Sequence, residues 1–265
     1  MKAVVCVKQT PSTTATFSVN DNVVSWEDTG SGKPNVVNPW DEYTIEEGIR
    51  LKENHGAKDV IALTLGGETS IDVLRTSLAM GCTEAIQVTD DSLDGIGNLD
   101  TAKVLAAAIE KIGDVSIVIC GKQAIDGDSG VIPVMLARTL GWTPLTYVSG
   151  INEITDDTIT VERLTESGTQ VVSASLPVLI SVVKEANEPR YPSFMGIRKA
   201  NKAKVPTWTA ADLDLDGVST DNNKVVWSHV YAPPAREGEV EMIDGGSPEE
   251  LAKQLVDKLF EEKVL

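Results

Sequence analysis

Val115-Ser116-Ile117-Val118-Ile119-Cys120 runs straight into Gly121-Lys122-Gln123-Ala124-Ile125-Asp126-Gly127-Asp128-Ser129-Gly130, and a helical pattern follows from Val131 to Leu140. An apolar strand emptying into a Gly-rich, hydroxyl-bearing turn that opens a helix is how α/β proteins present backbone N–H groups and a helix dipole to a phosphate. The stretch points to a nucleotide. Its spacing matches neither the P-loop, whose Lys-Ser/Thr pair closes the loop, nor the dinucleotide GxGxxG, so an ordinary strand-to-helix connection stands as the competing reading.

Outward from this point, short Val- and Ile-rich runs recur at Ala3 to Val7, Asp59 to Leu65 and Glu84 to Val88, separated by helix-compatible segments. That alternation reads as a parallel, twisted α/β sheet with helices on both faces, a Rossmann-like nucleotide-binding architecture. A first helix starts at cap-type residues Asn38-Pro39-Trp40-Asp41, carries Tyr43, Ile45, Gly48, Ile49 and Leu51 on one side, and stops at His55-Gly56. Further helices are expected from Ser70 to Met80 and from Leu99 to Ile112, each ended by a glycine.

Beyond Ser149 the texture changes to alternating strands at 158–163 and 169–174, joined by Glu166-Ser167-Gly168, which predicts a hairpin attached to the sheet over 151–175. Leu176 to Val183 reads as a buried strand. Asn187-Glu188-Pro189-Arg190-Tyr191-Pro192-Ser193-Phe194-Met195-Gly196 is kept out of regular structure by two prolines and a glycine. Residues 201–246 read as an extended arm anchored by Trp208, Trp227 and Pro233-Pro234, and a capped amphipathic helix from Ser247 to Lys263 closes the chain with Leu251, Leu255, Leu259 and Phe260 on one face. The expected division is an α/β domain over 1–200, including the hairpin and a loop at 187–199, and a C-terminal arm and helix over 201–265.

The 265 residues include 23 basic and 40 acidic side chains, a formal charge of -17 that argues against a nucleic-acid surface. No segment approaches the roughly 20 apolar residues of a membrane span, so the chain is not expected to be membrane-embedded. Cys6, Cys82 and Cys120 show no CxxC spacing, and a reducing, cytoplasmic setting is expected. With only His55 and His229, neither at ligand spacing to a Cys or carboxylate, nucleophilic and metal catalysis are hard to build, and no catalytic or metal residues are assigned. Asp126 and Asp128 read as caps for backbone N–H groups in preference to a metal or acid–base pair. Between Arg190 and Lys204 lie five cations and no acid, an island in so acidic a chain. Beside Tyr191, Phe194 and Met195 it reads as a docking patch, with a solvated loop as the alternative.

Two segments, Lys122 to Asp128 after an apolar strand and Asn187 to Ser193 before a basic stretch, resemble the small (beta) subunit of electron transfer flavoprotein. Val7-Lys8-Gln9, Asn38-Pro39-Trp40-Asp41 with Glu46-Glu47, Arg50-Leu51-Lys52-Glu53 and Arg75 to Gly81 extend the likeness over almost the whole chain. The resemblance implies a non-catalytic electron carrier, its arm wrapping a larger alpha subunit, the heterodimer holding an FAD that takes electrons from acyl-CoA or other dehydrogenases and passes them to a quinone oxidoreductase or similar acceptor. It also implies a buried AMP. The positions matching the family's AMP contacts are Cys6, Asn38, Pro39, Trp40, Asp41, Leu65, Gly121, Lys122, Gln123, Ala124, Ile125, Asp126, Gly127, Asp128, Ser129, Gly130, Val131 and Ile132. On the physical reading, the Asp128 N–H, the Ser129 hydroxyl and the N–H groups up to Val131 meet the phosphate, while Cys6 and Leu65 flank the adenine.

The resemblance makes the 191–196 loop the dehydrogenase-docking element, carried by Arg190, Tyr191, Phe194, Met195, Arg198 and Lys199. Asp126-Gly127-Asp128-Ser129 is similar to electron-bifurcating and nitrogen-fixation-type members, in which a second FAD replaces AMP. Those members usually continue Gln-Val-Gly-Pro, where this chain has Val131-Ile132-Pro133-Val134. AMP is therefore the preferred expectation and a second FAD the alternative. Leu164 also stands where many members carry an acid after Arg163. Two other classes compete: a stress-protein-like nucleotide-binding regulatory domain, which has little use for the long arm, and an ATP-using ligase or hydrolase, for which Lys122 is the sole candidate cation near Ser129.

Overall fold

The computed structural model describes residues 1–28, 32–225, 227–234 and 240–264. They group into two units, Met1–Val230 and Tyr231–Leu265. The boundary lies thirty residues beyond the expected 200/201 division, because the stretch after residue 200 continues on the first unit.

In chain order the first unit comprises β1 (Lys2–Cys6), β2 (Gln9–Pro11), β3 (Ala15–Asn20), β4 (Val23–Asp28), β5 (Asn35–Val37), α1 (Pro39–Asn54), β6 (Asp59–Leu65), α2 (Ile71–Met80), β7 (Glu84–Val88), α3 (Asn98–Ile112), β8 (Val115–Gly121), α4 (Ile132–Leu140), β9 (Thr143–Ile154), β10 (Thr158–Thr165), β11 (Gly168–Ser175), β12 (Val178–Val182), α5 (Phe194–Ala200) and β13 (Thr207–Trp208). Nine strands form one sheet in the order β11-β10-β9-β12-β8-β1-β6-β7-β13. The strands from β9 through β12, β8, β1, β6 and β7 to β13 pair in parallel, and β9, β10 and β11 form an antiparallel extension.

The continuous apolar runs are explained by burial on both faces. Ala3, Val5, Ile117 and Ile119 point to the side covered by α1 and α2, packing with Ile45, Ile49, Val73 and Leu74. Val4, Ile61, Val118 and Cys120 point to the side covered by α3 and α4, packing with Leu105, Ile109 and Leu136. Each fully buried Ile or Leu contributes about 1.5–3 kcal/mol. The expected α/β sheet with helices on both faces is what forms.

The 151–175 hairpin is present as β10 and β11, but β9 begins earlier, at Thr143. A second hairpin, β3–β4, was not expected. Its turn residues Asp21 and Asn22 both have positive φ, 51° and 62°, the geometry that a two-residue hairpin turn needs. Trp208, expected in a free arm, is instead the edge strand β13 against β7, and Leu213, Leu215 and Val218 continue across the α3 face. These apolar side chains find partners on their own domain. Trp227 is exposed.

In the second unit, α6 (Pro248–Glu261) has the expected cap as a full capping box, Ser247 accepting from the Glu250 N–H and Glu250 from the Ser247 N–H. Leu255 and Phe260 on its apolar face are exposed. No described helix is long and apolar enough to cross a membrane.

Candidate functional site: the carboxyl ends of β1, β6 and β8

From β1 the chain moves one way, to β6 and β7, and from β8 the other, to β12 and β9. The crevice beyond the carboxyl ends at such a reversal is where open α/β sheets bind ligands. Cys6 ends β1, Leu65 ends β6 and Gly121 ends β8. Cys6, Leu65 and Ile132 are partly buried against the core on the α3/α4 side, and Cys6 and Leu65 are the two residues expected to flank an adenine.

The loop from Gly121 to Gly130 is clasped from below by residues 38–41. Asn38 is 1% exposed, and its Nδ2 donates to the Gln123 carbonyl at 2.9 Å while its Oδ1 accepts from the Ile125 N–H at 3.2 Å. Asn38 therefore does not cap α1, whose N-cap has no side-chain bond. The loop's own unpaired backbone groups claim that side chain. Asp41 accepts from the Lys8 N–H at 2.7 Å. Burial pushes its pKa up to about 7, against the lowering pull of the Lys8 and Gly121 N–H groups and the Asn38 side chain. Gly121 is compulsory here. A Cβ would overlap Asp41 Oδ1 and come within 2.9 Å of Trp40 Cβ. The hydrogen-bonded Cys6 thiol, together with burial, holds the Cys120 thiol well above its usual range.

The two loop acids do not cap the helix as expected. Asp126 is paired with Lys8 Nζ at 2.7 Å, and Asp128 Oδ1 accepts from Gln123 Nε2. The Asp128 N–H, expected to meet a phosphate, donates to the Ala124 carbonyl at 2.9 Å instead, closing a turn at φ 50°. What is left free is a shorter set. Val131 at the N-cap of α4 offers no side-chain cap, and among the described residues the N–H groups of Ser129, Gly130 and Val131 carry no hydrogen bond. With one acid neutralised and the other turned onto Gln123, this exposed helix start and the Ser129 hydroxyl suit an anion. Ala124 and Gly127 shape the turn, and Pro39 sits at the first helical position of α1. Lys8, a half-exposed cation across the sheet end, is a site residue that the sequence reading used only as a family match.

The second candidate region is a braced loop. Asn187 Nδ2 donates to Glu47 Oε2 and to the Tyr43 carbonyl. Arg190 forks onto Glu46 and Glu53, with N–O distances of 2.7–3.0 Å. Glu46 is buried, which opposes its charge, yet the Arg190 bonds hold its pKa below the usual value. Arg190 thus faces inward, while Tyr191, Phe194 and Met195 are 94%, 81% and 67% exposed, with exposed Arg198 and Lys199 beside them. Phe194 was expected in irregular chain but opens α5, because the Ser193 hydroxyl caps the Gly196 N–H. Gly196 lets α5 lie on the end of α2: a Cβ there would overlap the Ala79 carbonyl oxygen.

This constellation has counterparts. A family model described as "Electron transfer flavoprotein domain" matches residues 29–213. The chain belongs to the electron transfer flavoprotein family. It is similar along its whole length to electron transfer flavoprotein subunit beta of Megasphaera elsdenii, at 34% identity with all of both chains covered. It is similar to the corresponding beta subunit of Thermoanaerobacterium thermosaccharolyticum, at 37% identity, also over both full chains. A third relative is the caffeyl-CoA reductase-Etf complex subunit CarD of Acetobacterium woodii, 34% identical over the whole of each chain. The chain is thus a beta-subunit member of the electron transfer flavoprotein family, a family of electron-transfer subunits.

Proposed function

We propose that this chain is the beta subunit of a heterodimeric electron transfer flavoprotein that binds AMP structurally between Cys6, Leu65 and the 121–132 loop. The observation that carries the proposal is the uncapped start of α4, offered to an anion while both neighbouring acids are engaged elsewhere. The adenine lies over the half-buried Cys6, Leu65 and Ile132, and the Ser129 hydroxyl and the free N–H groups from Ser129 to Val131 hold the phosphate. The alpha subunit, met by the exposed apolar face of α6 with Leu255 and Phe260, carries the FAD. Bound flavin supplies the electron-accepting ring; this chain's part is to support it and to present Tyr191, Phe194 and Met195, rimmed by Arg198 and Lys199, to acyl-CoA or other dehydrogenases. Arg190 acts as the brace of that loop. A quinone oxidoreductase or similar acceptor takes the electrons onward, in a cytoplasmic setting.

A second reading, a second FAD in place of AMP, is favoured by one observation. A cavity of about 470 Å³ opens beside the loop, lined by Ser12, Phe17, Trp26, Ile125 and Asp126 among others. It offers room and aromatic walls for a ring system larger than adenine alone. The test is to co-purify the chain with its alpha subunit, release the bound nucleotides and count them. One FAD and one AMP per pair supports the first reading, two FAD the second, and a colourless, nucleotide-free pair overturns both.

A further inference from the structure

Cys6 closes β1, Cys120 stands one residue from the end of β8, and the two strands are neighbours in the sheet. Their register pairs Ala3 with Ile117, Val4 with Val118 and Val5 with Ile119, so the next step sets Cys6 beside Cys120. Both side chains fall on the α3/α4 side of the sheet. The thiols are in hydrogen-bonding contact, and that contact is the first cause, ahead of burial, that holds the Cys120 thiol well above its usual range.

Backbones of adjacent strands run about 4.8 Å apart, inside the roughly 4.4–6.8 Å between Cα atoms that a disulfide spans. Side chains that stand upright on the sheet keep their Cβ atoms about as far apart, wider than the ~3.8 Å of a relaxed bridge. A bond between these two sulfurs is therefore strained and easily reduced, the property of regulatory disulfides. The two thiols also differ in access. Cys6 is half-buried at the crevice beside the nucleotide loop, whereas Cys120 is 4% exposed. Cys82, the remaining cysteine, lies in the core on the α1/α2 side, where burial pushes its thiol up to about 12.

We infer that Cys6 and Cys120 form a redox-active dithiol at the nucleotide site, closed to a disulfide by peroxide when the site is empty and shielded when nucleotide is bound. The shielding rests on the nucleotide reading above; the dithiol stands on the register alone. The Cys6 thiolate attacks hydrogen peroxide: an S–O bond forms, the O–O bond breaks, and the departing hydroxide takes up the thiol proton as water, leaving Cys6 as a sulfenic acid. The Cys120 sulfur then attacks that of Cys6. An S–S bond forms, the S–O bond breaks, and hydroxide leaves with the Cys120 proton as a second water, so two thiols have passed two electrons to one peroxide. The Cys6 charge that opposes ionisation of Cys120 is absent at this second step. A small thiol reopens the bridge by exchange. An adenine lying over Cys6 blocks the first step, because reaction depends on access to the sulfur.

The test uses the co-purified heterodimer, stripped of nucleotide and treated with hydrogen peroxide with or without AMP. It is then denatured in iodoacetamide, digested and read by mass spectrometry. Without AMP, a linked peptide joining Cys6 to Cys120 is expected, reversed by dithiothreitol, while Cys82 is still alkylated as a free thiol. AMP at about ten times its Kd leaves roughly a tenth of the sites open, so the bridge is expected to form about tenfold more slowly. In Cys120→Ala, Cys6 is expected to stop at the sulfenic acid and be trapped by dimedone. Cys6 and Cys120 alkylated as fully as Cys82 after peroxide overturn the inference, as does a wild-type Cys6 sulfenic acid that never bridges. A bridge that forms equally fast with AMP bound overturns the placement of adenine over Cys6 and leaves the dithiol standing, so the two failures are told apart.

Discussion

Asn38→Ala removes the clasp beneath the nucleotide loop while leaving every other proposed contact in place. Two bonds are lost, Nδ2 to the Gln123 carbonyl at 2.9 Å and the Ile125 N–H to Oδ1 at 3.2 Å. Each is worth about 0.5–1.5 kcal/mol net, so the closed loop loses ~2 kcal/mol. If the open loop cannot bind, the apparent affinity falls with the closed fraction, by at most about 30-fold for that energy. The assay is calorimetric titration of AMP into nucleotide-stripped heterodimer. Asn38→Asp serves as the companion variant: it keeps an acceptor for the Ile125 N–H but turns an anion toward the Gln123 carbonyl and the buried Asp41, and is expected to bind more weakly still. Affinities within twofold of wild type for both variants would refute the clasp.

Two further outcomes are expected. Asp41 has its folded pKa raised by burial from 3.8 to about 7, so the folded chain holds a proton that the unfolded chain releases between those values. Stability therefore falls as pH rises from about 4 to about 7, with a slope of up to ~1.4 kcal/mol per pH unit from this group, and is flat with respect to it above. Urea unfolding across that window should show the slope in wild type and its reduction in Asp41→Asn; equal slopes would contradict the assignment. Phe194→Ala is expected to raise the KM for the electron-donating dehydrogenase about tenfold or more with flavin content intact, as for an exposed aromatic anchor. Unchanged reduction kinetics would remove the docking role from this loop.

The sheet was legible because buried parallel strands write themselves as unbroken Val/Ile runs: Asp59–Leu65 and Glu84–Val88 stand where they were expected. The β3–β4 hairpin was not, although Asp21-Asn22 between alternating β-branched and aromatic residues is a turn signal, because its strands are too exposed to leave an apolar run. Trp208 and the 213–218 stretch read as an arm since a two-residue edge strand has no periodicity to detect. At the site, the residue types pointed to the right region, but which groups pair is a property of distance across the chain. Asn38 looked like a cap, Asp126 and Asp128 like helix caps and Arg190 like a docking cation; their partners at Gln123, Ile125, Lys8, Glu46 and Glu53 lie as far as 144 residues away in sequence. The bulge of β9 that turns Tyr147 outward had no sequence signal at all, since nothing in Leu145-Thr146-Tyr147-Val148 marks a left-handed residue.

The central claim is that the start of α4 holds the nucleotide, and it is tested most directly by replacing Asp128 and Ser129 together with bulky residues and counting nucleotide in the co-expressed heterodimer. Loss of the bound AMP together with a reduced heterodimer yield is the expected result. A heterodimer that assembles normally and keeps its full complement of nucleotide would contradict the account.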